Sequence, residues 1–440
     1  MIGQPAERSD GPARLATVNP RPLIGRVARA VGTTIEATLS DARIGEICQL
    51  RDPVAGTTAM AEVIGVSDGR ALLAPLGDLA GLSTRTEVSG TGRSLRIAVG
   101  PHLLGRVLDG FGHPIDGAAL EAPAGAPLYA IDGSAPPALS RNRVARPLPL
   151  GVRAIDGLLT CGEGQRLGIF GEPGTGKSSL LAQIVGGADV DVAVAAVIGE
   201  RGREVREFVE THLKERRRRS VLVVATADRP AVERVKAAQL ATAIAEYFRD
   251  QGKRVLLVID SITSFARAQR ELGLAAGEPP TRRGFTPSVF IALPRLLERA
   301  GANDRGSITA FYTVLVEGDG TLDPIAEETR AILDGHITLS MRLAEADHFP
   351  AIDILQSRSR VMSAIVNPDH QATASRVRAL MARYAELELL VRVGEYRQGG
   401  DALSDAAMAK HDAIKAFLQQ CSADRESWPE MLAKLRELAQ

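Results

Sequence analysis

Apolar positions fall into three regimes along the chain. From Leu23 to about Val99 they come as short pieces, Ile24–Val27, Thr33–Leu39, Ala61–Val66 and Ser94–Val99, broken by Gly and Asp. Short strands at this spacing predict a small all-β barrel over residues 22–99. From Gly162 onward the runs become continuous and rich in Val and Ile: Arg166–Phe170, Val192–Ile198, Val221–Ala225, Val255–Asp260 and Ile308–Val316. Strands buried on both faces read this way. Helical stretches lie between them, notably Lys177–Val185 and Pro230–Asp250, the latter introduced by Asp228-Arg-Pro. The alternation predicts an α/β core with a mostly parallel sheet over residues 100–365. Beyond about Val366 helical periodicity stands alone in His370–Val393 and Asp401–Leu418, which predicts a C-terminal helical domain over residues 366–440. Ala122–Pro127 and Ser134–Ala138 are rich in Pro, Gly and Ala and predict a connector, and residues 1–21 read as a flexible tail.

Composition narrows the function classes. A chain of 440 residues suits about three domains. Its 53 basic side chains match 53 acidic ones, which argues against a dedicated binder of nucleic acid or anionic membrane. One Trp, five Tyr and ten Phe are too few for stacking platforms on single-stranded nucleic acid. The run Arg216–Arg219 is then better read as a solvated helix end than as a nucleic-acid patch. Cys48, Cys161 and Cys421 are far apart and form neither a metal-ligand spacing nor a disulfide framework, so a reducing compartment is expected. No apolar run approaches the ~20 residues of a membrane span, and residues 1–20 lack a signal-peptide core. The expectation is a cytoplasmic protein with at most peripheral membrane association.

Candidate chemistry sits at the strand ends. Gly171-Glu172-Pro173-Gly174-Thr175-Gly176-Lys177-Ser178 fits G-x-x-x-x-G-K-[ST], between a predicted strand and a predicted helix that continues through Ser179. Such a loop turns consecutive backbone N–H groups onto phosphate oxygens, with Lys177 neutralising the β- and γ-phosphates and the Ser178 hydroxyl available to Mg²⁺. Asp260 ends the apolar strand Val255–Asp260, where a carboxylate either holds Mg²⁺ or caps the next helix; the upstream loop favours the metal. Glu200 follows Val192–Ile198 in the same way. It either polarises an attacking water or is a helix N-terminal Glu stabilised by the macrodipole.

These residues, with Gly162–Phe170, Ile198–Phe208, Ala225–Pro230, Tyr247–Leu257, Gly277–Phe290 and Leu293–Gly301, resemble the ATPase of bacterial type III secretion. The likeness runs from about Leu23 to the C-terminal helices. Leu104–Gly117 is also similar to the catalytic subunits of rotary ATP synthases, and Leu159–Gln165 looks closer to the injectisome ATPase than to the flagellar one. The resemblance implies a RecA-like P-loop nucleotide-binding core, an N-terminal small β-barrel forming the crown of a homohexameric ring, and a C-terminal helical domain. It implies Mg²⁺-dependent hydrolysis of ATP to ADP and phosphate. Implied partners are a stator, a central stalk, the export gate and chaperone–effector complexes, and the implied location is the cytoplasmic face of the bacterial inner membrane. By matching motifs, Glu200 is the catalytic glutamate, Arg201 a γ-phosphate contact, Phe349 an aromatic packing on adenine and Arg360 an arginine finger reaching a neighbour's nucleotide. Without the resemblance, Phe349 reads as core filler and Arg360 as a surface ion pair. Gly277–Phe285 is the candidate pore-facing loop.

Two positions depart from the family pattern. Ser264 stands where the family usually has Arg, so a cation near the γ-phosphate is missing, and Arg358 replaces a smaller or apolar residue. Compensation of Ser264 by Arg358 is one expectation; slow or absent hydrolysis is another. Competing readings are a flagellar export ATPase, a rotary ATP synthase subunit and an RNA-translocating hexamer resembling termination factor Rho.

Overall fold

The computed structural model describes residues 24–77, 81–212, 216–316, 323–422 and 424–440; the expected tail at 1–21 lies outside them. The chain divides into two compact units, the first ending at Leu95 and the second running Arg96–Gln440.

In the first unit β1 (Ile24–Val31), β2 (Thr34–Thr38), β3 (Ile47–Arg51), β4 (Thr58–Ser67), β5 (Arg70–Pro75) and β6 (Glu87–Gly90) close a barrel in the order β1-β2-β5-β4-β3-β6. Alternating residues such as Ile35 and Ala37, Cys48 and Leu50, and Leu73 fill its interior. The apolar pieces read from the sequence correspond to β1, β2 and β4, while β3, β5 and β6 were not singled out. One expected barrel strand is corrected: within Ser94–Val99, β7 (Arg96–Ala98) pairs with β9 (Leu128–Ala130) in the second unit. That pairing also gives part of the expected connector a regular strand.

The second unit is built on a sheet of order β17-β16-β10-β15-β13-β11-β12-β8, with the short β14 (Gly301–Ala302) against β15. The strands are β8 (Val107–Asp109), β10 (Arg166–Gly171), β11 (Val192–Ile198), β12 (Ser220–Ala225), β13 (Arg254–Asp260), β15 (Ser307–Leu315), β16 (Gly335–Leu339) and β17 (Ile352–Ser359). From β8 to β16 every pairing along this order is parallel, and only β17, at the edge, and β14 run antiparallel. Every residue of β11 and β12 is buried, as continuous Val-rich runs require.

Helix Lys177–Gly187, which carries the end of the glycine-rich loop, is seated by backbone contact. A Cβ at Gly187 would lie 2.1 Å from the Leu150 carbonyl oxygen. The turn it rests on is held by Asp156, whose buried carboxylate accepts the N–H groups of Leu150 (2.9 Å) and Gly151 (2.8 Å). Burial pushes that carboxyl up to about 7 against the pull of those N–H groups.

The C-terminal helices Pro368–Arg392, Ala402–Leu418 and Trp428–Ala439 form no core of their own. Val377, Leu380, Phe417 and Leu435 join Leu150, Val152 and Leu158 in one apolar cluster. The boundary expected at 365/366 is therefore a change of secondary structure inside one compact unit. No helix among the described residues is long and apolar enough to cross a membrane.

Helix Ala231–Asp250 lies across the sheet and is buried along nearly its whole length, including Glu246. Arg299, 2% exposed, donates to both Glu246 carboxylate oxygens at 2.9 and 2.7 Å and to the Ile131 carbonyl at 2.7 Å. Removing one partner leaves a buried charge unpaired. Glu246→Ala is expected to lower unfolding stability by about 3–5 kcal/mol in a denaturant titration; an unchanged midpoint would show that the pair ties nothing down.

Candidate active site

Parallel pairing brings the carboxyl ends of β10, β13 and β11 to one edge of the sheet, and the loops leaving that edge carry the expected site residues. In the loop after β10, Gly174 and Gly176 have φ of 87° and 82°, in the left-handed region, which lets successive N–H groups converge. Thr175 is buried and its hydroxyl donates to the Glu172 carbonyl at 2.7 Å, while Pro173, Gly174, Ser178 and Ser179 are exposed at the rim. The Lys177 ammonium turns back onto the loop, donating to the carbonyls of Gly171 (3.0 Å) and Glu172 (2.6 Å). Burial lowers its proton affinity, and the negative charges of Asp260, Glu200 and Glu172 oppose that.

Asp260 is 7% exposed at the end of β13. Burial raises its pKa, opposed by a hydrogen bond from Thr313 and the charge of Lys177. Thr313, on the intervening strand β15, donates its hydroxyl to Oδ1 at 2.5 Å. That bond fixes the carboxylate's rotation and engages one of its two oxygens. Thr313 escaped the sequence reading; the signal available was a hydroxyl inside a buried strand, which needs a partner.

Glu200 leaves β11 beside β13. Its carboxyl is pushed up to about 8, first by burial, then by a hydrogen bond with the Glu204 carboxyl and by the negative charge of Asp260 and Glu204. Lys177 pulls the other way. The helix N-terminal reading of Glu200 does not describe its place, because Arg201 is the N-cap of helix Gly202–Glu207 and Glu200 precedes it. Arg201 is exposed. Glu204, in the first turn of that helix, is a site residue that the sequence reading passed over.

Phe349 is 40% exposed, so it is not core filler. Its ring lies against the phosphate loop: a Cβ at Gly176 would come within 3.2 Å of it. The Phe349 carbonyl accepts the Gln420 N–H at 2.9 Å, which ties this wall to the C-terminal helices.

Arg360 is placed elsewhere. Its N–H donates to the Asp334 carbonyl (3.0 Å), and the Asp334 N–H donates to the Arg166 carbonyl (3.0 Å). It therefore stands at the start of β10, roughly 15 Å of strand from Gly171. Its exposed guanidinium donates to the Arg330 carbonyl and makes no ion pair among the described residues, in contrast to the surface ion-pair reading. Arg358 lies in register with His336 on the edge strand β17, four strands from β13 and so roughly 19 Å across the sheet. Within one chain it is too distant to replace a cation at position 264. Ser264 is buried in the site, 3.0 Å from the Ser261 hydroxyl, and a Cβ at Gly199 would fall 2.6 Å from its Oγ. The small side chain thus lets the end of β11, and with it Glu200, settle onto helix Ile262–Ala275.

A divalent cation fits these donors. Among the described residues no three His, Cys, Asp or Glu side chains gather into a metal cage. An exposed Ser178 hydroxyl and one Asp260 oxygen instead offer the sparse oxygen set that Mg²⁺ takes when phosphates and water complete its shell.

Comparison with known proteins places this geometry. Residues 151–359 match the family described as "ATP synthase alpha/beta family, nucleotide-binding domain", residues 27–92 the corresponding beta-barrel domain and residues 366–437 the "T3SS EscN ATPase C-terminal domain". The chain is 59% identical over 423 residues to the type 3 secretion system ATPase of Sinorhizobium fredii, covering 96% of this chain and 93% of that one. The assembled ATPase EscN from the type III secretion system of enteropathogenic E. coli superposes with a TM-score of 0.89 at 47% identity, covering 94% of this chain and all of EscN. EscN in complex with its central stalk EscO gives 0.87 at 46% identity, with the same coverage of both chains. With the site built on the α/β nucleotide-binding core, this chain belongs to the family of type III secretion system ATPases.

Proposed function

We propose that the chain hydrolyses Mg·ATP in a ring of identical subunits and that turnover energises type III protein secretion, by releasing or unfolding chaperone-bound effectors at the export gate. The observation that carries this reading is the division of the machinery. Lys177, Asp260 and Glu200 meet at one edge of the sheet, while at the other Arg360 is exposed and pairs with no carboxylate among the described residues. A site built this way is complete only where one subunit's Arg360 meets the next subunit's phosphate loop.

The loop Gly171–Ser178 holds the phosphates, with Phe349 as the aromatic wall for adenine. Ser178 and Asp260 would hold Mg²⁺, which supplies charge neutralisation and orientation of the β- and γ-phosphates. Lys177 exchanges its loop carbonyls for phosphate oxygens, and Arg201 adds a second positive charge. Glu200 accepts a hydrogen bond from the attacking water and holds it in line. Arg360 from the adjacent subunit stabilises the charge of the transferring phosphoryl group. Proposed partners are a central stalk and a stator, the stalk by likeness to the EscN–EscO complex. The loop Gly277–Phe285 is the proposed pore-facing segment. It is closed on itself by the Thr281 N–H and hydroxyl, both donating to the Phe285 carbonyl.

ATPase rate per mole of protein, measured against protein concentration with and without RNA, tests the reading. Specific activity should climb with concentration and ignore RNA, and Arg360→Ala should lower it by about 10³-fold or more. Flat specific activity with an indifferent mutant would rule out a shared site. Glu200→Gln should cut kcat by about 10²–10⁴-fold while ATP binding, followed by nucleotide fluorescence, stays within a few-fold. A base must be deprotonated to work, so kcat/KM should rise with pH as Glu200 loses its proton. Glu204→Gln removes the neighbouring charge and should move that limb to lower pH by roughly one pH unit; an unmoved limb would assign it to another group.

A further inference from the structure

The second unit holds a cavity of about 650 Å³ that the nucleotide site does not use. It lies between β17 with helix Met341–Glu345 on one side and the C-terminal helices Pro368–Arg392 and Ala402–Leu418 on the other. Its volume is that of a small-molecule pocket. Ile352, Ile354, Leu380, Ile414 and Leu418 give it apolar walls. Tyr384 and His411 add a flat one, their rings stacked with centroids 3.5 Å apart and planes 10° from parallel.

Two polar groups on this lining lack the partners that buried or charged groups normally have. His348 is 3% exposed, lines the cavity, and neither ring nitrogen has a hydrogen-bond partner among the described residues. A buried imidazole left unsatisfied on both sides costs free energy unless something in the cavity meets it. Burial and the nearby positive charge of Lys415 lower its proton affinity, so at neutral pH it presents one N–H donor and one acceptor. Lys415 is exposed at the mouth and has no carboxylate within ion-pair distance among the described residues. The other rim cations, Arg342 and Arg392, share Glu388 at 3.4 and 2.6 Å. Asp353, also on the lining, uses Oδ1 to accept the N–H groups of Leu355 and Gln356, both at 3.0 Å.

We propose that this cavity is a binding site for a small apolar monoanion, its carboxylate or sulfonate paired with Lys415, a polar atom meeting His348 and its apolar body against the aliphatic and Tyr384 walls. A single unpaired cation favours a monoanion over a polyphosphate, and the apolar lining excludes a sugar-like ligand. An occupant reaching His348 lies one residue from Phe349, whose ring rests on the phosphate loop.

The probe is 8-anilinonaphthalene-1-sulfonate, an apolar aromatic monoanion whose fluorescence rises in apolar surroundings, titrated into the full-length protein. The site predicts a saturable component with one probe per chain. Lys415→Gln, a change at an exposed position with no hydrogen bond to lose, should weaken it about tenfold or more while basal ATPase activity is unchanged. His348→Phe, which keeps the ring and removes its nitrogens, should weaken a competing 2-naphthoate that carries a hydroxyl more than one that does not. Competition by 2-naphthoate against decanoate shows whether the body taken is a ring or a chain. Fluorescence that never saturates, or a saturable component of equal affinity in the wild type and Lys415→Gln, would overturn the proposal.

Discussion

Parallel hydrogen bonding among β10, β15, β13 and β11 is the constraint on which the rest depends. Each parallel strand needs a crossover to return, and the crossovers put every strand's carboxyl end on the same edge. The glycine-rich loop, Asp260 and Glu200 can then leave three different strands and still meet. The pairing also explains why the strands are buried on both faces, since the helices that return the chain cover them. Antiparallel β17 is the exception with a consequence. It carries the chain from Ile352, level with Leu339 at the site, back to Ser359, level with Gly335 at the far end. One strand reversal separates Phe349, beside the loop, from Arg360, out of its own site's reach.

Electrostatics at the converging edge are held in tension. Glu200 and Asp260 are both driven toward their protonated forms by burial, and both are drawn back by Lys177. The Lys177 ammonium is held by two loop carbonyls, which keep a buried charge hydrogen-bonded. Thr313 does the same for Asp260 from the strand between. Beside them a serine stands at position 264. Its size, with Ser261 as partner, suits the close approach of Gly199.

The helical C-terminal region is part of this arrangement. Its residues complete the apolar cluster under Leu150 and Val152, and Gln420 hydrogen-bonds the Phe349 carbonyl. The cavity at His348 lies between these helices and β17.

By itself the sequence determined the elements and the kind of chemistry. Val- and Ile-rich runs read as doubly buried strands, a glycine pattern followed by Lys-Ser can cradle phosphate, and both signals are local, so spacing reveals them. Glu200 and Asp260 were legible because each is the first polar residue after an apolar run. What the tertiary structure alone decided is who meets whom. Thr313, Glu204 and Gln420 act through contacts with residues far away in sequence or through a pairing whose geometry depends on the backbone, and no local pattern names those partners. The strand Arg96–Ala98 was assigned to the wrong unit for the same reason: three residues of alternation fit either partner, and only packing chose. That the C-terminal helices share one apolar cluster with Leu150 and Val152 was equally hidden, because helical periodicity marks an apolar face without naming the surface that covers it.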